Sequence, residues 1–60
     1  MTLFDYREAA AELRLAPITL RRWVSENRIE HIKLGSRVYF KPESIREYID
    51  RHTIPAGGHR

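Results

Sequence analysis

Cysteine is absent from the 60 residues, which excludes disulfides, thiolate metal sites and a thiol nucleophile. In so short a chain the absence has weight, because domains of this size bury only about 60% of the surface their unfolded form exposes and many depend on such staples. His31, His52 and His59 are too scattered to form a zinc motif and read as ordinary loop and surface histidines, so no metal or other cofactor is expected. No apolar run approaches the ~20 residues of a membrane span. No charged–apolar–small leader opens the chain. These absences lead to the expectation of a soluble cytoplasmic protein held together by packing. A Gly-rich phosphate loop and a plausible catalytic triad are missing too, so no enzyme activity is expected.

Acidic residues are scarce in one place. Between Leu13 and Pro42 lie Arg14, Arg21, Arg22, Arg28, Lys33, Arg37 and Lys41 against only Glu26 and Glu30, a net of +5 in a chain whose total is +3. Asp5, Glu8 and Glu12 precede this segment, and Glu43, Glu47 and Asp50 follow it. A basic middle between acid-rich flanks favours one positive face, the arrangement a phosphate backbone attracts.

The hydrophobic pattern divides the chain. Asp5 followed by Glu8 has capping-box spacing, with Phe4 and Ala9 placed as a hydrophobic staple, and the spacing predicts a first helix over residues 6–13. Tyr6, Ala9, Ala10 and Leu13 form its apolar stripe. Arg14-Leu15-Ala16 makes a turn, with Leu15 as the corner plug. Pro17 suits the first position of a second helix, and Asn27 suits a left-handed stop, so this helix is expected over residues 17–26. Ala16 is a weak N-cap. Ile32-Lys33-Leu34 and Val38-Tyr39-Phe40 then alternate around Gly35-Ser36, the signal of a tight hairpin. The hairpin is expected to lay most of Ile32, Leu34, Val38 and Phe40 on the helices. Pro42 and Glu43 open a third helix, with Ile45, Tyr48, Ile49 and His52 at helical spacing. Residues 54–60 are expected to be a flexible tail behind one domain of residues 1–53. The expected core is Phe4, Tyr6, Ala9, Ala10, Leu13, Leu15, Leu20, Trp23, Val24, Ile29, Ile32, Val38, Phe40, Ile45, Tyr48 and Ile49, centred on Trp23.

The second helix has two faces. Leu20, Trp23 and Val24 share an apolar stripe, and Ile18, Arg21, Arg22 and Ser25 share another. Helix, turn, helix, hairpin and helix in this order make an α+β, mainly α, winged helix-turn-helix. Its pieces are Phe4-Asp5 through Glu8-Ala9-Ala10, Leu15-Ala16, Leu20-Arg21-Arg22-Trp23, Asn27-Arg28-Ile29, Lys33-Leu34-Gly35-Ser36-Arg37, and Phe40-Lys41-Pro42-Glu43 through Ile45. Over about residues 3–50 this series resembles the small excisionase and MerR-like DNA-binding domains. A stand-alone copy of this size looks most like a phage-type excisionase, a recombination directionality factor acting in the bacterial host cytoplasm.

That resemblance implies a major-groove helix 2 and a wing that reaches the backbone or the adjacent minor groove. It implies double-stranded DNA as partner, cooperative binding beside neighbouring copies on repeated sites, DNA bending, and assistance to a tyrosine-family integrase in prophage excision. The free protein is expected to be a monomer. Two rivals stand beside this reading: a small winged-helix transcriptional regulator, and a protein-interaction module without DNA binding. The chain departs from the family at Ala16-Pro17, where relatives often carry Ser or Thr, and at Ser36 and Tyr39, where a second basic residue is common.

The candidate DNA-binding residues are Ile18, Thr19, Arg21, Arg22, Ser25, Lys33, Ser36 and Arg37. An arginine can grip guanine O6 and N7 with two donors or bind phosphate, and spacing does not decide which of Arg21 and Arg22 reads bases. Ile18 can meet a thymine methyl or pack at the helix start. Thr19 can bond phosphate or its own helix. Ser25 lies at the far end of the face, towards the backbone. Lys33, Ser36 and Arg37 surround the wing tip, Arg37 being the better candidate for a narrow minor groove. Arg14, Arg28 and Lys41 add general positive field.

Overall fold

The computed structural model describes residues 2–57. His59 and residues 58–60 of the expected tail lie outside that range, and residues 54–57 carry no helix or strand. The elements are α1 (Tyr6–Leu13), α2 (Pro17–Ser25), β1 (Ile32–Leu34), β2 (Arg37–Tyr39) and α3 (Pro42–Arg51). This is the expected winged helix-turn-helix order, with α1 packed on both α2 and α3.

Each boundary has a local cause. At the start of α1 the Glu8 amide donates to Asp5 Oδ1 at 2.8 Å and the Asp5 amide donates to Glu8 Oε1 at 3.0 Å, a complete capping box. The run Ala9-Ala10-Ala11 carries the helix, and Ala9 and Ala10 are small enough to be fully covered by neighbouring elements. Arg14 then turns left-handed at φ 59°, and the Leu15 amide closes on the Ala10 carbonyl at 2.8 Å. Nothing in the residue type signals this conformation, because arginine lacks the freedom of glycine or asparagine there. Asn27 does the same work after α2, at φ 56°, with the Arg28 amide on the Trp23 carbonyl at 2.9 Å. Both ends of the helix pair are thus closed by one device.

No side chain caps α2, as Ala16 foretold; its carbonyl accepts from the Thr19 and Leu20 amides at 3.0 and 3.2 Å. Gly35 takes positive φ, 62°, in the hairpin turn. At the other end of α3 the His52 Nδ1–H donates to the Tyr48 carbonyl at 2.8 Å and the Thr53 hydroxyl to the Ile49 carbonyl at 2.7 Å. His52 therefore closes the helix and stacks on Tyr48, centroid to centroid 4.3 Å, rather than entering the core.

The hairpin corrects one expectation. Its register pairs Ile32 with Tyr39, Lys33 with Val38 and Leu34 with Arg37. Residues directly opposite share a face, so Val38 and Ile32 cannot both point at the helices. Val38 packs on the core with Phe40, while Ile32, Leu34, Arg37 and Tyr39 take the outer face, with Leu34 exposed. The second strand also begins one residue early, at Arg37, and Phe40 leaves it to pair elsewhere. The Phe4 and Phe40 amides each donate to the other's carbonyl at 2.8 Å, an antiparallel bridge that stitches the N-terminal segment to the wing.

The core itself is smaller than expected and centred elsewhere. Ala9, Ala10, Leu20, Ile29, Phe40 and Ile45 are buried, with Phe4, Tyr6, Leu13, Trp23, Val24, Val38 and Tyr48 packed around them. Phe40 and Leu20 have no exposed surface at all. Trp23 is only half-buried: it lies in the seam between α2 and α3, tilted against Tyr48 at 5.5 Å, with the Arg28 guanidinium 4.7 Å above it. An indole is large enough to fill such a seam without being swallowed by it. Ile49 is exposed, and Leu15 is half-buried at the corner beside Leu13, Trp23 and Tyr48. The buried Ser44 hydroxyl donates to Glu30 Oε1 at 2.7 Å, tying the segment after α2 to the first turn of α3.

Asp5→Ala is expected to lower stability by about 1 kcal/mol, a fall of about 4–8 °C in Tm for a domain this small, read by circular dichroism on heating. In urea melts Phe40→Ala is expected to cost about 3–5 kcal/mol and Trp23→Ala distinctly less. An equal loss from Trp23→Ala would restore the tryptophan to the centre of the core.

Candidate nucleic-acid interface

The outer face of α2 is built by elimination. Leu20 takes the buried side and Trp23 and Val24 its edges, which leaves Ile18, Thr19, Arg21, Arg22 and Ser25 to line one shallow depression. Ile18 is 73% exposed, which rules out packing at the helix start as its role. Thr19 is half-buried at the margin of this face. The Ser25 hydroxyl donates to the Arg22 carbonyl at 2.8 Å, so its hydrogen is engaged within the helix.

A second groove runs between the start of α1, α2 and the wing. Tyr6, Arg7, Arg21, Lys33, Ser36 and Arg37 line it. Asp5 stands at the same groove with Oδ1 already accepting from the Glu8 amide. Arg21 belongs to both surfaces. Its guanidinium carbon lies 4.9 Å from the centroid of the Tyr6 ring, within the range of a cation–π contact. The Tyr6 ring in turn meets Phe40 edge-on, at 5.5 Å and 73°.

All eight residues singled out in the sequence therefore line one of two adjoining surfaces. Tyr6 and Arg7 join them, and sequence reasoning missed both. Tyr6 was placed wholly in the core by its helical spacing, but tyrosine often packs one end of its ring and offers the rest. Arg7, in the first turn of α1, has no acid at i+4, and that was the available signal.

The electrostatics favour an anionic partner. Among the described residues the ion pair formed is Arg28 with Glu26 at 3.7 Å, so Arg21, Arg22, Lys33 and Arg37 keep their charges unpaired by carboxylates. Arg28 instead covers Trp23 on another side of α2 and Lys41 precedes α3, so neither lines the two surfaces. A shallow basic face on an exposed helix beside a basic groove has the shape to follow a phosphate backbone, with a helix narrow enough to enter a major groove. No helix among the described residues is long and apolar enough to cross a membrane.

No curated protein and no solved structure matches the chain significantly. A family match does exist: the helix-turn-helix domain, over residues 3–59. It spans α1, the turn, α2, the wing and α3, and suggests DNA binding. The chain belongs to the helix-turn-helix domain family.

Proposed function

We propose that the protein binds double-stranded DNA with α2 in the major groove and the wing against the backbone or the neighbouring minor groove. The observation that carries this reading is the double membership of Arg21, which makes the α2 face and the wing groove one continuous basic surface. Ile18 supplies an apolar tip for a thymine methyl, Arg22 and Arg21 supply forked donors, and Lys33, Ser36 and Arg37 supply backbone contacts. Thr19 and Ser25 sit at the margins of the face and add contacts to phosphate through their oxygens. Ala16 and Pro17 offer the phosphate little at the helix start, so affinity rests on the arginines and the wing.

The finer reading is that of an excisionase, supported by the resemblance of the ordered motifs from Phe4 to Ile45. In this role the protein is architectural. Copies occupy repeated sites side by side, bend the DNA and recruit a tyrosine-family integrase, while cutting and rejoining belong to the recombinase. The protein itself performs no chemistry and needs no cofactor, and it works in the bacterial cytoplasm on the host-borne DNA.

Gel-shift titrations with a duplex selected from a random library test the DNA reading; no duplex affinity at low salt would leave a protein-interaction module as the better account. Ile18→Ala is expected to change stability by less than about 0.5 kcal/mol, as surface substitutions do, while weakening binding. Arg37→Ala is expected to weaken binding evenly across sequences and flatten the salt slope by about one. An unchanged slope would remove the wing from the interface. Circular-permutation gel shifts and an excision assay with a tyrosine-family integrase separate the two roles. Bending with stimulated excision is expected, and failure of both would favour a transcriptional regulator.

A further inference from the structure

Adjacent arginines on a helix point about 100° apart, so Arg21 and Arg22 cannot share one job. We propose that Arg22 is the base-reading arginine and Arg21 a backbone clamp whose direction is set by Tyr6, a division of labour that rests on the DNA-binding reading above.

The surroundings of the two side chains differ in kind. The Arg21 guanidinium carbon lies over the Tyr6 ring, 4.9 Å from its centroid, and that ring is seated edge-on against the fully buried Phe40. The clamp is therefore anchored to the core through two aromatic contacts. A cation–π contact needs no hydrogen-bond acceptor, and among the described residues no carboxylate pairs with Arg21, so its forked donors stay available for two parallel bonds to a phosphate. It also places Arg21 where the α2 face meets the groove shared with Lys33 and Arg37. A side chain held in place loses less freedom on binding.

Arg22 has no such seat. It is exposed, it is not aromatic-stacked, and among the described residues no carboxylate pairs with it. The neighbouring Ser25 hydroxyl is turned onto the backbone carbonyl of Arg22 itself, so it does not hold the guanidinium. Arg22 is one turn beyond Ile18, whose side chain is 73% exposed. The two are about 6 Å apart along the helix axis, close to two base-pair steps of about 3.4 Å. A forked donor for guanine and an apolar tip for thymine at that spacing describe a reading head. The preferred duplex then carries a G·C pair about two steps from a T·A pair.

The test uses the intact protein and two duplexes, one selected by it from a random library and one scrambled from that sequence, in fluorescence-anisotropy titrations at several salt concentrations. Arg22→Ala is expected to lower the preference for the selected duplex by roughly 5- to 150-fold. Arg21→Ala is expected to weaken both duplexes in step and flatten the salt slope by about one. Tyr6→Leu is expected to weaken both by roughly two- to fivefold and to add nothing when Arg21 is already alanine.

Loss of preference from Arg21→Ala rather than Arg22→Ala would overturn the assignment, as would a full Tyr6→Leu effect in the Arg21→Ala background. Tyr6 also packs on Phe40, so a check independent of its substitution is needed. In the NMR spectrum of the free protein the Arg21 δ-protons are expected upfield from the Tyr6 ring current, and unshifted signals would remove the clamp. Arginine variants that bind both duplexes like the unsubstituted protein would defeat the DNA reading of α2 itself, an outcome distinct from an exchange of the two roles.

Discussion

Phe40 is a residue at which three parts of this molecule are joined. Its ring is fully buried against α1 and carries Tyr6 on its edge, and its backbone is paired with Phe4. The wing, the N-terminal segment and the first helix meet at this one side chain. In a chain without cysteine that junction does the work of a staple. It fixes the wing relative to α2, and so fixes Lys33 and Arg37 relative to Arg21. The continuity of the basic surface is a consequence of hydrophobic packing some distance beneath it.

The parts of the fold that could be read in advance are those governed by local chemistry. The Asp5–Glu8 box, Pro17 and Pro42 at helix starts, Asn27 at a helix end and Gly35 in the turn each encode a backbone conformation within a few residues, and each element begins or ends there. What escaped was set by partners distant in sequence. Periodicity shows that Ile32, Leu34, Val38 and Phe40 alternate, but the face each takes follows from the cross-strand register, and a two-residue turn puts Val38 opposite Lys33. The Phe4–Phe40 bridge has no sequence signal beyond two apolar residues. Trp23, the expected centre of the core, lies in the seam between α2 and α3, and that position decides its burial.

The candidate site divides in the same way. Ile18, Arg21, Arg22 and Ser25 were recognisable because helical spacing alone sets them on one face. Their differences were not, because those depend on neighbours outside α2: Tyr6 for Arg21 and the helix's own carbonyl for Ser25. Arg7 and Tyr6 enter the groove only because the bridge at Phe4 draws the start of α1 alongside the wing.

The wing has one more property with practical weight. Among the described residues β1 pairs with β2 alone, leaving one side of Ile32–Leu34 as an open strand edge whose outer face shows Leu34. Open edges of this kind are templates for aggregation between molecules, and proteins blunt them by keeping the strand short and placing lysine on it. Both devices are present, in a three-residue strand with Lys33 at its middle. The same ammonium group that adds positive charge to the groove therefore also guards the open edge. Neutralising it would strip the edge of its guard and the groove of a charge in one step.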